Sequence, residues 1–454
     1  MELDGSVQRA GNSMILTRSK PLRLLTIFLF YFTQGFPLGL FYYAIPAWMA
    51  ANGRSAAEVA SVVAISGLPW SLKLVNGFLM DRYTLLAMGR RRVWIIGAQS
   101  MIVLVLLGAA VLSPLPGDIA VLSAIGFVAN MAVTFQDVGI DGLAVDIMAE
   151  DERAKASGIM FGAQVLGISA TSAMAGYLFQ NYGFSTGIAV AAIIPALVAI
   201  YGVLIREREG ERRLPWTQGH AHQRNLDIQI DAWWPLLKAS FSAMVTPLSL
   251  LLLPILLVRA MPAGAFEAFQ PILATQIGGW TQSEYTSLIA TAALLAGVLG
   301  LTVGGFVVDY IGSQRSLVIL MVTYLAMLVG FALARDYWTN AALLSSIFTA
   351  LAVYDTFVAI AVIPICMRMC SPAVAATQFT LYMAVANFGR PIGAAISGFT
   401  TRPGSEAMLY WTMAAIWGVG TVLAIVVRFP EENRAFREAA EVVPQGEGLP
   451  PTVD

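Results

Sequence analysis

Long uninterrupted apolar runs dominate this chain and decide what it can fold into. Four clear examples are residues 93–112, 188–205, 316–334 and 407–427. Each approaches or exceeds the roughly 18 apolar residues that a helix needs to cross a bilayer. Of the 454 residues, 57% are hydrophobic and 12% charged, whereas soluble domains carry roughly 25% charged residues. The sequence therefore predicts an all-α polytopic membrane protein and excludes a string of soluble domains.

The apolar runs and their breaks predict twelve transmembrane helices in two pseudo-symmetric six-helix bundles. The expected spans are residues 22–50, 55–80, 93–113, 119–149, 154–180, 184–205, 238–275, 283–308, 316–334, 339–370, 374–400 and 406–428. The expected divisions are an N-terminal tail (1–21), an N-terminal bundle (22–205), a linker (206–237), a C-terminal bundle (238–428) and a disordered tail (429–454). We expect no cleaved signal peptide, because no short apolar stretch precedes a small-residue cleavage site.

The distribution of basic residues predicts the orientation in the membrane. With the N-terminus inside, 21 of the 27 Lys and Arg residues fall in cytoplasmic segments, and three (Arg54, Arg335 and Arg402) fall outside. This bias follows the positive-inside rule, so both termini and the linker are expected in the cytoplasm. The net charge of −1 gives no electrostatic reason to expect a nucleic-acid partner.

Sequence markers recur between the two halves at separations of 218 to 228 residues. The recurring pairs are the capping boxes at Ser55 and Thr281, the motifs Gly77-x-x-x-Asp81 and Gly305-x-x-x-Asp309, and the membrane aspartates Asp137 and Asp355. Nearly constant offsets indicate duplicated six-helix halves. Such repeats place a substrate site near the bilayer midplane, between the halves.

The loop between the second and third spans carries a charged signature. Gly77-x-x-x-Asp81-Arg82 is followed by Gly89-Arg90-Arg91-Arg92, a pattern that resembles the loop signature of the major facilitator superfamily. An aspartate at a helix end can pair with arginines and with helix termini, although the run also suits simple positive-inside anchoring. We expect Asp146 to join this loop by pairing with Arg82 or Arg90. The cytoplasmic gate predicted from these residues comprises Gly77, Asp81, Arg82, Arg90, Asp146 and Asp309.

Ionisable residues inside spans are costly and mark functional sites by default. Asp137 and Asp141 lie four residues apart and share one helix face, where mutual repulsion favours holding a proton. Asp137 is the deeper of the two and the better candidate for a proton carrier. Four carboxylates are predicted to take part in proton coupling, namely Asp137, Asp141, Asp355 and Glu267.

Three basic residues also lie within spans. Lys73 either snorkels to the surface or pairs with Asp137 or Asp141, and we favour pairing. Arg390 is close to the midplane, where a pair with Asp355 would be either structural or a switch that substrate opens. Arg259 and Glu267 lie broadly on one face of a helix interrupted by Pro262 and Gly264. The predicted substrate contacts are Lys73, Arg259, Arg390, Gln34, Tyr42, Tyr43, Gln164 and Gln270, although packing is an alternative role for each tyrosine.

Histidine and cysteine positions argue against two other kinds of site. His220 and His222 both lie in the linker, so a membrane-embedded histidine relay is excluded. Cys366 and Cys370 lie four residues apart on one helical segment, where they are best interpreted as small apolar residues. We therefore predict no metal site and no cofactor.

Three segments carry a closer resemblance. Residues 69–83, residues 89–92 and Gln136-Asp137-x-x-x-Asp141-Gly142 resemble one branch of the superfamily, which contains the AmpG-type muropeptide permeases and the acetyl-CoA transporters. Residues 151–153 and Gly389-Arg390 also match the muropeptide permeases. The resemblance implies proton-driven uptake of a bulky, polar, partly anionic solute. The chain departs from the branch at Asn76 and Phe78, where tryptophan and proline are usual, and at Gln164, where an arginine is expected.

The sequence thus predicts a secondary active transporter of the bacterial inner membrane that works as a monomer. The favoured mechanism is proton-coupled import of a muropeptide-like solute by alternating access, and the alternative solutes are a ferric siderophore or an acyl-CoA. A membrane-embedded enzyme would need a nucleophile or His–carboxylate constellation, which the spans lack. A channel would need a ring of charges or a filter loop, for which there is no signal.

Overall fold

The computed structural model describes residues 14–148, 150–227, 233–370 and 375–430, and the described chain is built from helices. The first half comprises α1 (Lys20–Ala51), α2 (Ala56–Ser71 and Lys73–Arg82), α3 (Arg92–Leu112), α4 (Ile119–Ile147), α5 (Glu150–Tyr182) and α6 (Phe184–Leu204). The second half comprises α7 (Pro247–Ile277), α8 (Gln282–Leu299, Gly300–Gly304 and Gly305–Ile311), α9 (Ser313–Leu333), α10 (Ala341–Arg368), α11 (Ala375–Thr400) and α12 (Ala407–Val426). The predicted all-helical membrane fold is confirmed.

Ten of the described helices are long and apolar enough to cross a membrane, and α2 and α11 fall outside that group. In α2, Pro69 lies in the last turn of the first segment and Leu72 interrupts the helix, so the apolar part has only 16 residues. In α11, a helix of 26 residues, Arg390 interrupts the apolar run. The interruption of α2 lies directly before Lys73, so each of these two helices carries a charged residue inside the bundle.

The predicted seventh span, residues 238–275, is wrong at its beginning. The structure contains a separate helix, Trp233–Met244, and α7 begins only at Pro247. The hydroxyl of Thr246 accepts a hydrogen bond from the backbone N–H of Ser249 at 3.3 Å, and a proline stands at the first helical position. A capping threonine followed by proline is a helix start, which the continuous apolarity had concealed.

The capping boxes predicted at the beginning of α2 and α8 are both present. The Ser55 hydroxyl accepts from the Glu58 N–H at 3.3 Å, and the Glu58 carboxylate accepts from the Ser55 N–H at 2.7 Å. Thr281 and Glu284 repeat this arrangement at 3.2 and 2.7 Å. Corresponding helices of the two halves therefore begin in the same way.

Glycines bring corresponding helix pairs into backbone contact in each half. A Cβ at Gly35 of α1 would lie 2.5 Å from the carbonyl oxygen of Gln164 on α5. A Cβ at Gly264 of α7 would lie 1.9 Å from the carbonyl oxygen of Arg390 on α11. No side chain fits at either position, so each glycine sets how closely its helix pair packs. These pairs carry much of the candidate site.

One face of the bundle, here called the linker face, is formed by residues 14–18, 83–91 and 205–225. Leu16 donates its N–H to the carbonyl of Arg206, and Arg206 donates to the carbonyl of Met14, each at 2.9 Å. Arg212 donates its N–H to the carbonyl of Ala87 at 2.7 Å. The opposite, or far, face carries residues 51–56, 113–119 and 278–282. The segment after α6 is thus folded against the first half.

Glu207 fixes this segment to the N-terminus of α3. Its buried carboxylate accepts the backbone N–H groups of Arg90, Arg91 and Arg92 at 3.0, 2.9 and 2.5 Å. These donors have no partner within the helix, and the helix dipole favours an anion there. Gly89 has φ +101° and its Cβ would lie 2.5 Å from the Glu207 carboxyl carbon, so only glycine fits. Residues 89–92 of the predicted gate loop therefore also form a cradle for a carboxylate.

Glu211 and Arg92 surround the contact between Glu207 and the beginning of α3. Burial and the neighbouring Glu211 raise the pKa of Glu207 to about 7, against the lowering effect of the peptide N–H donors. The Arg92 guanidinium donates to the carbonyls of Gly202 and Val203 in the last turn of α6 at 3.2 and 3.1 Å. The same side chain donates to the carbonyl of Arg212 at 2.7 Å. The linker contact thus joins the end of α6 to the beginning of α3.

Glu207→Ala is expected to destabilise the protein by about 1–3 kcal/mol, because buried N–H groups at the beginning of α3 lose their acceptor. The measurement is the midpoint of thermal unfolding of the purified protein in detergent. Glu209→Ala is the matched control, since Glu209 is exposed and pairs with the exposed Arg18. Equal midpoints for the two variants would contradict the anchoring role of Glu207.

Candidate functional site

A lysine and two aspartates meet inside the first half. The Lys73 ammonium contacts Asp137 Oδ2 and lies 3.6 Å from Asp141 Oδ2. Asp137 and Asp141 project from one face of α4, and Lys73 is the first residue after the interruption of α2. Asp137 is only 4% exposed, so its charge needs a close partner. We call Lys73, Asp137, Asp141, Tyr31 and Gln34 the acidic cluster.

Helix α1 completes the acidic cluster with two donors. Gln34 donates Nε2–H to Asp137 Oδ1 at 2.8 Å. Tyr31 donates its hydroxyl to Asp141 Oδ1. Gln34 was predicted as a substrate contact, whereas Tyr31 was not predicted. The spacing of Tyr31 and Gln34 could have indicated Tyr31, because residues three apart on a helix lie on one face.

A cavity of about 220 Å³, here called the central cavity, lies between the two halves. Its lining joins helices of the first half (α1, α2 and α5) to helices of the second (α7, α10 and α11). Arg259, Arg390 and Asp355 supply its charged groups. The buried Nε of Arg259 has no hydrogen-bond partner among the described residues. Its other lining residues are Leu38, Trp70, Gln164, Ile168, Ala260, Ala263 and Asn387.

A second cavity of about 100 Å³ shares Ala263, Asp355 and Arg390 with the central cavity, and we call it the glutamate cavity. Arg390 Nη2 lies 3.4 Å from Glu267 Oε1, and Tyr43 donates its hydroxyl to the same oxygen at 3.4 Å. The Arg390 guanidinium also stacks over the Tyr42 ring, 5.0 Å from its centroid. Gln270, Tyr324 and Asp355 are among the other lining residues. Arg390 and Asp355 thus border both cavities.

The charged partner predicted for Arg390 was Asp355, whereas the structure pairs Arg390 with Glu267. The reason is the contact at Gly264, which brings α7 against α11 and aligns Glu267 with Arg390. Asp355 lines both cavities, but the ion pair with Arg390 is formed by Glu267. Arg259 and Glu267, expected on one face of α7, border different cavities, with Pro262 between them in the helix.

At the linker face, the expected partner of Asp146 was Arg82 or Arg90. In the structure Arg91 Nε lies 3.4 Å from Asp146 Oδ2. Arg208 donates to the Asp146 carbonyl at 3.3 Å. The exposed Arg82 guanidinium lies 5.7 Å from the centroid of the adjacent Tyr83 ring.

The remaining predicted gate residues are placed only in part. A Cβ at Gly77 would lie 3.9 Å from Val138 on α4, an ordinary contact. Arg90 is buried, and its backbone donates to Glu207. The side chains of Asp81 and Asp309 lie outside what the structure describes. Sequence reasoning missed Glu207 here, because an acid within a charged run is typical of an exposed linker.

Hydrogen bonds join the two halves at the far face. Gln276 of α7 donates Nε2–H to the carbonyls of Ala50 and Arg54, each at 2.9 Å. Gln282 of α8 donates to the carbonyl of Gly176 of α5 at 3.1 Å. These contacts hold together the ends of the helices that surround the central cavity. Opening of the bundle at the far face therefore requires them to break.

Gln276→Ala is expected to loosen the far face, because two carbonyls lose their shared donor. With about 1 kcal/mol for each bond, amide hydrogen exchange in residues 50–56 should accelerate roughly ten- to thirtyfold. Hydrogen exchange followed by mass spectrometry measures this change. Gln218→Ala, at an exposed glutamine of the linker face, is the control. Unchanged exchange in residues 50–56 of Gln276→Ala would show that this contact does not hold the face closed.

Two related helical halves that meet around charged cavities define a membrane solute carrier. The family comparison makes the assignment specific. The Major Facilitator Superfamily model matches residues 27–394, and the chain belongs to that superfamily.

Relatives with known names are transporters. The chain is 24% identical over 408 residues to the anhydromuropeptide permease of Escherichia coli K12, covering 87% of this chain and 78% of the relative. It is 24% identical over 325 residues to a putative transporter, AmpG 4, of Rickettsia felis, covering 67% and 72%. A folate-biopterin transporter of Synechocystis is 27% identical over 199 residues, covering 43% of this chain and 39% of the relative.

Solved structures share the fold. The nucleoside transporter NupG superposes with a TM-score of 0.65 at 13% identity, covering 89% of this chain and 98% of that one. A peptide transporter, POT, in complex with sulfate superposes with a TM-score of 0.64 at 14% identity, covering 92% and 96%. The fold and the relatives are those of transporters rather than enzymes, as the sequence predicted.

Proposed function

We propose that this protein is a proton-coupled symporter that imports an anhydromuropeptide-like solute by alternating access. The protein would lie in the bacterial inner membrane and would work as a monomer. The proposal draws its solute class from the permease relatives and from the chemistry of the central cavity. The bundles 22–205 and 238–428 would rock about that cavity, with 206–237 as the linker between them.

The observation that carries the proposal is the convergence of two guanidinium groups on one cavity between the halves. Arg259 and Arg390 both line the central cavity, beside the amides of Gln164 and Asn387. Guanidinium groups are well suited to carboxylates, which they bind with paired hydrogen bonds. The buried Arg259 Nε has no hydrogen-bond partner among the described residues, so its N–H is unused in this arrangement of the helices. A solute with carboxylates and amides matches this set.

The acidic cluster supplies the proposed proton site. Asp137 and Asp141 share one ammonium, Lys73, so three ionisable groups carry a net charge of −1 when all are ionised. Adding one proton makes the cluster neutral, which lowers the cost of its burial. Glu267 and Asp355, beside Arg390, are the second pair of carboxylates proposed to contribute to coupling. The proposed solute contacts are Lys73, Arg259, Arg390, Gln34, Tyr42, Tyr43, Gln164 and Gln270.

We propose that the linker face is cytoplasmic, in line with the basic residues concentrated there. The far-face hydrogen bonds then correspond to a carrier closed toward the outside. The residues proposed to control the cytoplasmic side are Gly77, Asp81, Arg82, Arg90, Asp146 and Asp309. Arg91 and Glu207 join this group because they contact Asp146 and the beginning of α3.

The test is uptake of a radiolabelled anhydromuropeptide into proteoliposomes that have an alkaline interior. An imposed pH difference of one unit, worth about 1.4 kcal/mol, should support up to about tenfold accumulation for one coupled proton. Collapse of the gradient with a protonophore is the control. Accumulation of a ferric siderophore or an acyl-CoA, but not of the anhydromuropeptide, would replace the proposed solute. Absence of gradient-driven uptake for all three would overturn the proposed symport.

A further inference from the structure

Two glutamines connect the central cavity to Asp137. Gln164 lies half-buried in the cavity wall and donates Nε2–H to Gln34 Oε1 at 2.9 Å. Gln34, which is fully buried, donates Nε2–H to Asp137 Oδ1 at 2.8 Å. An unbroken line of side-chain amides therefore runs from the cavity to the proposed proton site.

The contact between α1 and α5 makes this line possible. Since a Cβ at Gly35 would lie 2.5 Å from the Gln164 carbonyl, the two backbones touch beside the amides. Gly39, one turn further along α1, is similarly close to Ile168, with 2.7 Å from its Cβ position to the carbonyl oxygen. The short distance between α1 and α5 leaves no room for another side chain between Gln34 and Gln164, so their amides meet directly.

The direction of these hydrogen bonds presents a donor, not an acceptor, to Asp137. Gln164 donates to the Gln34 oxygen, which turns the Gln34 NH₂ toward the carboxylate. Lys73 occupies the other carboxylate oxygen. Asp141 is the other acid that faces this group, and it is held by Tyr31. With a hydrogen-bond donor on Oδ1 and an ammonium against Oδ2, a proton on Asp137 has no acceptor unless Gln34 or Lys73 moves.

We propose that Gln34 and Gln164 form an amide switch that couples solute occupancy to protonation of Asp137. A solute oxygen that draws the Gln164 amide into the cavity takes away the N–H that orients Gln34. The Gln34 amide then rotates and presents Oε1, which accepts the O–H of a protonated Asp137. The inference rests on the proposed symport. Because linkage is reciprocal, protonation of Asp137 strengthens solute binding by the factor by which solute favours protonation.

Gln34→Met tests the switch, since methionine has similar length and can neither donate to Asp137 nor accept from Gln164. Reconstituted protein is tested with radiolabelled anhydromuropeptide for accumulation under a pH difference of one unit and for solute exchange at equal pH. Wild type should accumulate the probe up to about tenfold, and its affinity should rise on acidification. Gln34→Met should show measurable exchange, an accumulation ratio near one and an affinity that no longer depends on pH.

Gln99→Met is the matched control. Gln136 donates to Gln99 Oε1 at 2.7 Å in a second buried amide pair of the same half. That pair binds the backbone carbonyls of Phe30 and Pro195 rather than Asp137. Its loss should lower the unfolding temperature but leave the ratio of accumulation to exchange at the wild-type value.

Gln164→Met provides a second test if Gln34→Met does not fold, because Gln164 lies in the cavity wall. It should lose the pH dependence of affinity in the same way, together with some affinity. Wild-type accumulation and pH dependence in either variant would overturn the switch. Failure of the proposed symport is a different result, since wild type itself would then show no gradient-driven accumulation of the probe.

Discussion

Asp137→Asn is expected to abolish accumulation of solute against its gradient. An asparagine keeps one oxygen to contact Lys73, and its NH₂ can donate to Gln34 once the Gln34 amide rotates to present Oε1, so local packing is preserved. It has no ionisable proton and therefore cannot couple solute movement to a pH difference. Lys73 keeps a carboxylate partner in Asp141, 3.6 Å away, so no isolated charge is created. The protein should fold and bind solute.

Proteoliposomes with an alkaline interior provide the measurement for Asp137→Asn. The accumulation ratio of anhydromuropeptide should fall from as much as about tenfold for wild type, under one pH unit, to about one. Downhill exchange measured in parallel separates lost coupling from lost binding. Asp336→Asn is the matched control, because Asp336 is an exposed acid in the short helix Arg335–Tyr337, outside both cavities. Full pH-driven accumulation by Asp137→Asn would exclude Asp137 as the proton carrier.

Features that depend on local sequence were predictable. The common face of Asp137 and Asp141 follows from helix periodicity, and the capping boxes follow from four-residue motifs. The apolar runs set the helices, because backbone groups inside a bilayer must be satisfied within their own helix. The beginning of α7, which was predicted wrongly, was also encoded locally, since Thr246 and Pro247 indicate a helix start.

Features that depend on how helices cross were not predictable. Glu267 and Arg390 are 123 positions apart, and they meet because Gly264 lets α7 touch the backbone of α11. Nothing in the spacing of Asp355 and Arg390 distinguishes that pair from the one that forms. Glu207 illustrates the same limit, because its burial depends on docking against the beginning of α3. Charge sequence alone cannot separate an exposed acid from a buried one.

Arg390→Gln is expected to reduce solute uptake by about thirtyfold or more. It removes a guanidinium that borders both cavities, and the loss of one partner from a buried charge pair costs about 2–5 kcal/mol. The same change strands Glu267, whose side chain is 5% exposed, without its cation. A destabilisation of up to about 3 kcal/mol should accompany the transport defect.

The double variant Glu267→Gln with Arg390→Gln separates these two effects. Both amides are neutral, so the stranded charge disappears and most of the stability should return. Uptake should stay low, because the central cavity still lacks the guanidinium. Thermal unfolding and initial uptake rates, measured on both variants and on Glu267→Gln, resolve the contributions as a double-mutant cycle. If the double variant recovered uptake together with stability, Arg390 would act only as the counter-ion of Glu267. Persistent loss of uptake in a stable double variant, together with uptake retained by Glu267→Gln alone, would place the solute's anionic group on Arg390.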